Sequence, residues 1–404
     1  MKTLETILRE WKPTKIHFGE GAIRKVGEIV SKYASNVLMV TGENSIKDSG
    51  IMGRITASLQ RANISYEIVS GVEPNPSKET VYRIAYHLLA GNYTCTLAVG
   101  GGSVMDAAKA AGILATAKEG DLDDYFGVGL VSQKIDRIHT LIVAPTTSGS
   151  GGEVTKFAVI TDPKLGVKKL IIDPAIIATE AIVDPELTYS CPKHVTLVSG
   201  LDAMTHLIEG YFNEVDEGID PQCNDRALAG LKLLFEALPK VVQDPSDKEG
   251  RRNMSLSSVL GGTVLFFKQA GGPHLNSFSW CNVMDHGEAC AVMLPYYAAY
   301  YAPVVMEKLR NVSALMGLKD SGDPAKDFSQ ALLNFYRRLD FPLTLKDFKG
   351  FSKDLIDKAV ADAAQNKMKL EAMPRPIPLE RSKSVLRTII EGAYEGKLDN
   401  ILKL

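Results

Sequence analysis

The first half of the chain alternates short runs of β-branched and other apolar residues with segments that carry apolar residues at helical spacing. Residues 36–41, 64–69 and 94–99 are typical of strands. Strands separated by helices predict βαβ units, which form a parallel sheet with right-handed crossovers. Residues 140–144 and 156–161 predict further strands that extend or flank this sheet.

The pattern changes after about residue 185, where strand-like runs become rare. Helices are predicted over 195–211, 225–238, 251–268, 289–308 and 324–339. The turn-forming segment DPELTYSCPK stands between the two patterns. A chain of 404 residues is also too long for one ordinary core. We therefore expect an α/β domain over 1–188 and an all-helical domain over 189–404.

Charge and cysteine usage exclude several classes of protein. The chain has 46 lysines and arginines against 48 acidic residues, so its net charge of −2 does not favour nucleic acid or an anionic membrane as a partner. The N-terminal segment lacks the apolar core of a secretory signal, and no run approaches the roughly 20 apolar residues of a membrane span. Five cysteines form no CxxC pair, which is typical of reduced thiols in a cytosol. A cytoplasmic protein is expected.

A glycine cluster follows the third predicted strand. Gly100, Gly101 and Gly102 would let the backbone approach a bulky anion, and the next helix would present free N–H groups to a phosphate. Ser103 could equally be the N-cap of that helix, with Asp106 as an acid in its first turn. The dinucleotide spacing GxGxxG is absent. The cluster predicts a phosphate site or, alternatively, a simple helix start.

A second loop, PTTSGSGGEVT, follows the predicted strand at 140–144. Its hydroxyls at Thr146, Thr147 and Ser150, together with its glycines, could wrap a pyrophosphate or a ribose. A flexible surface loop would have the same composition. Two such loops at strand ends of one α/β domain favour a ligand crevice there.

Histidines are few, and one of them follows an aspartate at helical spacing. His206 comes four residues after Asp202, which would place both side chains on one helix face. An Asp–His hydrogen bond on a helix surface would have the same spacing. His274 and His286 lie near glycines, where a backbone can approach a site. Three histidines and an aspartate would form a mixed nitrogen and oxygen set suited to Fe²⁺ or Zn²⁺.

These segments, in this order, resemble the iron-containing (group III) alcohol dehydrogenase family over essentially the whole chain. The segments that carry the resemblance are Phe18-Gly19-Glu20-Gly21, Gly71-Val72-Glu73-Pro74-Asn75-Pro76, GGGSVMDAAKA, PTTSGSGGEVT, Ala181-Ile182-Val183-Asp184-Pro185-Glu186-Leu187-Thr188, GLDAMTHLIE and HGEACAVMLPYY. The resemblance implies the two-domain plan shared with dehydroquinate synthase. In that plan an N-terminal α/β domain binds NAD or NADP and a helical domain binds the metal.

The resemblance also implies the site residues. The metal ligands, which are also the catalytic set, fall on Asp202, His206, His274 and His286. The implied cofactor contacts are Gly42, Asn75, Gly100, Gly101, Gly102, Ser103, Asp106, Thr146, Thr147, Ser150 and one lysine of the Lys168-Lys169 pair. Lys168 is preferred because its spacing to Asp173 fits better. The expected ion is Fe²⁺, with Zn²⁺ as the alternative.

The chain departs from the family at two informative positions. Many members carry a proton-relaying histidine four residues after the third metal ligand, where this chain has Phe278. NAD-preferring members carry an aspartate where this chain has Gly42, which leaves room for a 2′-phosphate that Ser45 and Lys47 could bind. Glu43 argues against a 2′-phosphate here, because its carboxylate would repel the negative charge. NADP is therefore the expected cofactor and NAD the alternative.

The function implied is that of an alcohol dehydrogenase or aldehyde reductase. It would transfer hydride between NAD(P) and a metal-bound alcohol or carbonyl in a cleft between the domains. Aromatic residues such as Phe266, Phe267 and Trp280 could form apolar walls, which would favour a primary alcohol or aldehyde, or could equally belong to the helix core. A homo-oligomer, specifically a dimer, is expected. The alternatives are a dehydroquinate synthase-like lyase or cyclase, which the scarcity of Arg and Lys near the metal segments disfavours, and a nucleotide-sensing binding protein.

Overall fold

A six-stranded parallel sheet organises the first part of the chain in the computed structural model, which describes residues 4–43, 46, 50–118, 120–164, 166–214 and 220–404. Its strands are β1 (Lys15–Phe18), β2 (Asn36–Gly42), β3 (Ser65–Val72), β4 (Cys95–Gly100), β6 (Thr140–Pro145) and β9 (Glu180–Val183). They lie in the order β1-β9-β6-β4-β2-β3, and every neighbouring pair is parallel. All six residues of β4 are buried, as expected for a central strand covered on both faces.

The helices that precede or connect these strands are short and amphipathic, apart from one. They are α1 (Leu4–Arg9), α2 (Val26–Val30), α3 (Ile51–Arg61), α4 (Lys78–Ala90) and α5 (Gly102–Ala117). The exception, α5, is mostly alanine and other apolar residues, and it is buried from Val104 to Leu114 except at Asp106. Helix α5 begins directly after β4, so its N-terminus lies at the carboxyl edge of the sheet.

A second, smaller sheet contains the strand predicted at 156–161. Strand β7 (Phe157–Asp162) pairs antiparallel with β8 (Val167–Ile172), and β5 (Gly127–Val128) pairs with β8 in parallel. The strand itself is confirmed, but it belongs to this sheet and does not extend the main one. Its partner β8 was not predicted, because two lysines interrupt its apolar pattern.

The second part of the chain is helical. Its helices are α6 (Lys193–Phe212), α7 (Cys223–Gln243), α8 (Lys248–Phe267), α9 (Gly272–Ser277), α10 (His286–Leu315), α11 (Pro324–Arg338), α12 (Asp354–Ala363), α13 (Lys367–Glu371) and α14 (Ser382–Glu395). No strand occurs among the residues described after 192, as predicted. Helix α10 is long and apolar enough to cross a membrane, but 83% of its most apolar window is buried within the protein, which is typical of a core helix.

The chain divides into a first unit, residues 1–192 with 245–255, and a second unit, residues 193–244 with 256–404. The sequence placed 245–255 in the helical domain, whereas here it groups with the first unit. Two arginines of this segment account for the difference. Arg251 donates to the carbonyl of Cys191 at 3.2 Å, and Arg252 forms ion pairs with Glu5 and Glu20. Helical periodicity cannot reveal such long-range partners.

Candidate metal centre and nucleotide-binding loops

Helix α6 places the predicted Asp–His pair on one buried face. Asp202 and His206 are one turn apart, and Nε2 of the histidine lies 3.5 Å from Oδ1 of the aspartate. This distance is too long for a good hydrogen bond. The pair is therefore not the simple Asp–His hydrogen bond that the spacing also allowed.

The two remaining histidines converge on the same carboxylate oxygen. His274 lies on α9 and His286 is the first residue of α10, and the Nε2 atom of each is 3.6 Å from Oδ1 of Asp202. Two ligands that are each about 2.1 Å from a tetrahedral ion lie about 3.4 Å apart. The observed separations therefore match donor atoms that share one ion. The structure brings all four sequence-predicted ligands together.

Burial and unsatisfied polar atoms also fit a cation. Oδ1 of Asp202 and Nε2 of His274 are buried without a hydrogen-bond partner among the described residues. Burial alone would raise the pKa of the Asp202 carboxyl, but the imidazoles of His206, His286 and His274 hold it well below its usual value. A buried carboxylate facing three imidazole nitrogens is the donor set that Fe²⁺ and Zn²⁺ accept.

Glu209 contacts a predicted metal ligand and was not identified by the sequence reasoning. It is 2% exposed, and its two oxygens accept hydrogen bonds from Nδ1 of His274 and from the backbone N–H of Gly271, the latter at 2.7 Å. Because a carboxylate can only accept, this bond places the proton on Nδ1 and leaves Nε2 for a metal. Helical spacing could have revealed it, since Glu209 follows Asp202 by seven residues on the same face of α6.

A glycine brings α6 and α10, the helices that carry Asp202 and His286, into backbone contact. A Cβ atom at Gly287 would lie 2.0 Å from the carbonyl oxygen of Val198 and 3.2 Å from Cβ of Asp202. Only glycine permits this approach between α10 and α6. The separation between Asp202 and His286 is therefore set by main-chain contact.

The more open side of the centre lies at His286. Its side chain is 34% exposed, whereas those of Asp202, His206 and His274 are at most 10% exposed. The ring of Phe278 stacks beside His286, with 6.3 Å between centroids. An apolar ring therefore stands at the position for which the resemblance implies a proton-relaying imidazole in many family members. Trp280, expected as a pocket wall, is fully buried against Phe351 instead.

In the first unit, the predicted nucleotide contacts follow the carboxyl ends of neighbouring parallel strands. Gly42 ends β2, Gly100 ends β4, and Thr146 follows β6. Register pairs Gly100 with Pro145, and the N–H of Thr146 donates to the carbonyl of Gly100 at 3.0 Å. The two candidate loops are thus joined at the edge of the sheet where open α/β folds bind ligands.

The side chains of the second loop lie over the glycines of the first. A Cβ atom at Gly102 would lie 2.9 Å from Oγ of Ser150, and one at Gly101 would lie 3.3 Å from Oγ1 of Thr147. Ser103 accepts a hydrogen bond from the backbone of Asn75 at 3.2 Å. The structure therefore brings these six predicted contacts together around the N-terminus of α5, which can bind a phosphate.

A buried lysine that was not predicted holds the second loop in place. Nζ of Lys109 donates to the carbonyls of Gly152 at 2.7 Å and of Thr155 and Phe157 at 2.9 Å each. Burial lowers the pKa of Lys109 to about 8 and raises that of Glu153 to about 7. These residues are 43 or more positions from Lys109 in the chain, so no local pattern could reveal the contacts.

Asp106 and the Lys168-Lys169 pair are further predicted cofactor contacts. Asp106 and Lys169 have hydrogen-bond partners within the protein. Oδ2 of Asp106 accepts from the backbone of Val159 at 3.0 Å, so this carboxylate ties α5 to β7. Burial raises the pKa of Asp106 to about 6. Lys169 donates to Asp123 at 2.8 Å, while Lys168 lies opposite Thr161, whose hydroxyl donates to Asn75. Ser45 and Lys47, the suggested 2′-phosphate contacts, lie outside the described residues.

Two family models match the chain. The model described as iron-containing alcohol dehydrogenase matches residues 13–185, and that of the C-terminal part of the Fe-containing alcohol dehydrogenase family matches residues 196–390. The chain is 30% identical over 393 residues to long-chain-alcohol dehydrogenase 1 of Geobacillus thermodenitrificans, covering 96% of each chain.

A second relative and a solved structure agree with these matches. The NADPH-dependent butanol dehydrogenase of Clostridium saccharobutylicum is 28% identical, with 96% of this chain and 99% of that one covered. The crystal structure of a 1,3-propanediol oxidoreductase is 27% identical with a TM-score of 0.84, covering 94% of this chain and 97% of that one. With two models that together span most of its length, the chain belongs to the iron-containing alcohol dehydrogenase family.

Proposed function

We propose that this alcohol dehydrogenase binds one divalent ion through Asp202, His206, His274 and His286, and that it uses NADP. The observation that carries the metal proposal is the single oxygen of Asp202 with three imidazole Nε2 atoms 3.5–3.6 Å from it. The ion proposed is Fe²⁺, after the family, and Zn²⁺ is the alternative that the same donors accept.

The bound groups and the protein residues have separate tasks in this proposal. When bound, the ion held by these four residues would supply Lewis-acid chemistry at the alcohol or carbonyl oxygen, and the nicotinamide would supply hydride chemistry. Glu209 keeps the proton of His274 on Nδ1, so that Nε2 stays available to the ion. Phe278 has no exchangeable proton, so this position would not relay the alcohol proton, which would need water, a ribose hydroxyl of the cofactor or another residue.

The preference for NADP rests on the end of β2. Gly42 has no side chain to repel a 2′-phosphate, whereas an aspartate there would favour the 2′-hydroxyl of NAD. The related butanol dehydrogenase is described as NADPH-dependent, which supports the same choice. Changing Gly42 to Asp is expected to lower kcat/KM for NADPH relative to NADH. An unchanged ratio would reject this role for Gly42.

The substrate class proposed is a small alcohol or aldehyde, and the location proposed is the cytoplasm. The relatives act on alcohols by their names, from butanol to longer chains, and they favour a dehydrogenase over a dehydroquinate synthase-like lyase. All five cysteines are free thiols, which suits a reducing compartment.

One experiment tests the metal and cofactor together. The purified protein would be analysed for bound metal, and the oxidation of NADPH and NADH would be followed with a panel of aldehydes. We expect one divalent ion per chain and aldehyde-dependent oxidation that is faster with NADPH. His274→Ala should lose both the metal and turnover, because it removes a ligand.

The matched control is His87→Ala, which removes a histidine of the first unit that pairs with Glu67. It should keep both metal and activity. Turnover by metal-free His274→Ala at the wild-type rate would contradict a metal-dependent reaction. The absence of net NADPH or NADH oxidation with every aldehyde would instead favour the lyase alternative.

A further inference from the structure

A buried thiol lies beside the four proposed metal ligands. Cys290 is fully buried and follows His286 by one turn of α10, on the same helix face. Its Sγ atom lies 3.9 Å from Nε2 of His286. Donor atoms of Asp202, His274, His286 and Cys290 all lie within 4.8 Å of one another. The thiol is therefore part of the same cluster of donor atoms.

The spacing allows sulfur and imidazole to bind one ion. Zinc–sulfur bonds of about 2.3 Å and zinc–nitrogen bonds of about 2.1 Å place the two ligand atoms about 3.6 Å apart at a tetrahedral angle. The observed 3.9 Å needs only a somewhat wider angle. Oδ1 of Asp202 and Nε2 of His274 are buried and unpartnered among the described residues, which independently points to a cation in this cluster.

We propose that the Cys290 thiolate is an additional ligand of the ion, so that this centre offers one oxygen, three nitrogens and one sulfur. The inference rests on the metal site proposed above and adds a donor to it. On binding, the S–H bond of Cys290 breaks, a sulfur–metal bond forms, and the proton leaves to solvent. Thiolate is a softer donor than carboxylate, so this ligand shifts the preference of the centre towards zinc.

Cobalt provides a spectroscopic test that does not depend on activity. The full-length protein would be stripped with a chelator and loaded with Co²⁺ alone. We expect one cobalt per chain and a thiolate-to-cobalt charge-transfer band in the near ultraviolet. Cys290→Ser should bind cobalt without this band, whereas Cys223→Ser should retain it. Cys223 is also buried, but its sulfur lies 3.8 Å from the carbonyl of Val264 and outside the donor cluster.

A second measurement uses the wild-type protein only, so it does not depend on the folding of a variant. X-ray absorption of the zinc-loaded protein should show one sulfur neighbour at about 2.3 Å together with nitrogen and oxygen neighbours at about 2.0–2.2 Å. Zinc affinity should also fall at least about tenfold in Cys290→Ser, because even outer-shell partners contribute this much.

The outcomes separate the two proposals. One bound ion with only nitrogen and oxygen neighbours, or a cobalt band that persists in Cys290→Ser, would overturn the role of Cys290 and leave the four-ligand site intact. Failure to bind any ion would overturn both. A sulfur neighbour in the wild type, with loss of the band only in Cys290→Ser, would establish the thiolate as a ligand.

Discussion

The carboxylate of Glu209 accepts a hydrogen bond from Nδ1 of His274, and neither residue is more than 6% exposed. The other oxygen of Glu209 accepts from the backbone of Gly271, the residue before α9 begins. Helix α6 thus fixes both the tautomer of His274 and the start of the helix that carries it. A ligand that is oriented in advance loses little freedom when it binds an ion.

Glu209→Gln is therefore expected to weaken metal binding by about 10–100-fold. An amide has only one acceptor oxygen, so it cannot accept from both Gly271 and His274, and its NH₂ group would face one of these donors. Competition with a chromophoric chelator would measure the affinity. Glu214→Gln, at an exposed glutamate paired with Lys308, is the control and should bind metal as the wild type does. Equal affinity in both variants would show that Glu209 does not act on the ligand.

Lys109→Met should lower both the thermal stability and the affinity for NADPH. It leaves the carbonyls of Gly152, Thr155 and Phe157 without their shared donor, at a cost of about 1–3 kcal/mol for each buried group left unsatisfied. Calorimetry and fluorescence titration would measure the two effects. Lys164→Met, at an exposed lysine, should change neither. Wild-type NADPH affinity in folded Lys109→Met would contradict a positioning role.

The buried Glu153 predicts a pH dependence of stability. Burial raises its pKa from 4.5 to about 7, so the folded protein holds the proton more tightly than the unfolded chain does. The contribution of Glu153 to the free energy of unfolding is therefore greatest at acidic pH, and it is lost as the pH rises from about 4.5 through about 7. Denaturant unfolding at several pH values should show that the free energy of unfolding falls less over this range in Glu153→Gln than in the wild type. Glu28→Gln, at an exposed position, should follow the wild type, and identical curves for Glu153→Gln would refute this assignment.

Gly102→Ala should weaken NADPH binding, because the new methyl group would lie 2.9 Å from Oγ of Ser150. Displacing that side chain costs on the order of 1 kcal/mol, which corresponds to roughly a fivefold loss of affinity. Gly53→Ala is the matched control, since an added Cβ meets nothing within 4 Å on α3. It should raise stability by about 0.5–1 kcal/mol without changing affinity. Equal NADPH affinity in both variants would show that the loop adapts.

Local sequence patterns predicted the individual strands of this protein better than they predicted which strands pair with each other. The strands at 36–41, 94–99 and 140–144 appear in the main sheet because parallel strands buried on both faces have continuous apolar runs. The strand at 156–161 was recognised, but its antiparallel partner β8 was not. Pairing depends on contacts along the whole fold, which a local pattern does not contain.

The candidate site residues also show that local sequence patterns do not reveal contacts between distant parts of the chain. Spacing suggested Asp202 and His206 because both lie on α6, whereas His274 and His286 were assigned by resemblance alone. Their separation in the chain gave no geometric reason to combine them. Glu209 was detectable from its helical position, but Lys109 was not, because its partners begin 43 residues away.

The backbone contact between Gly287 and Val198 has a consequence for the evolution and engineering of this centre. The distance between α6 and α10 is set by main-chain contact rather than by side chains. Ligand residues on these helices can therefore be substituted while the spacing between the helices stays the same. The helix spacing and the ligand side chains of the centre thus depend on different residues. Substitution of the proposed ligands should therefore change the preferred ion while leaving the packing of α6 against α10 unchanged.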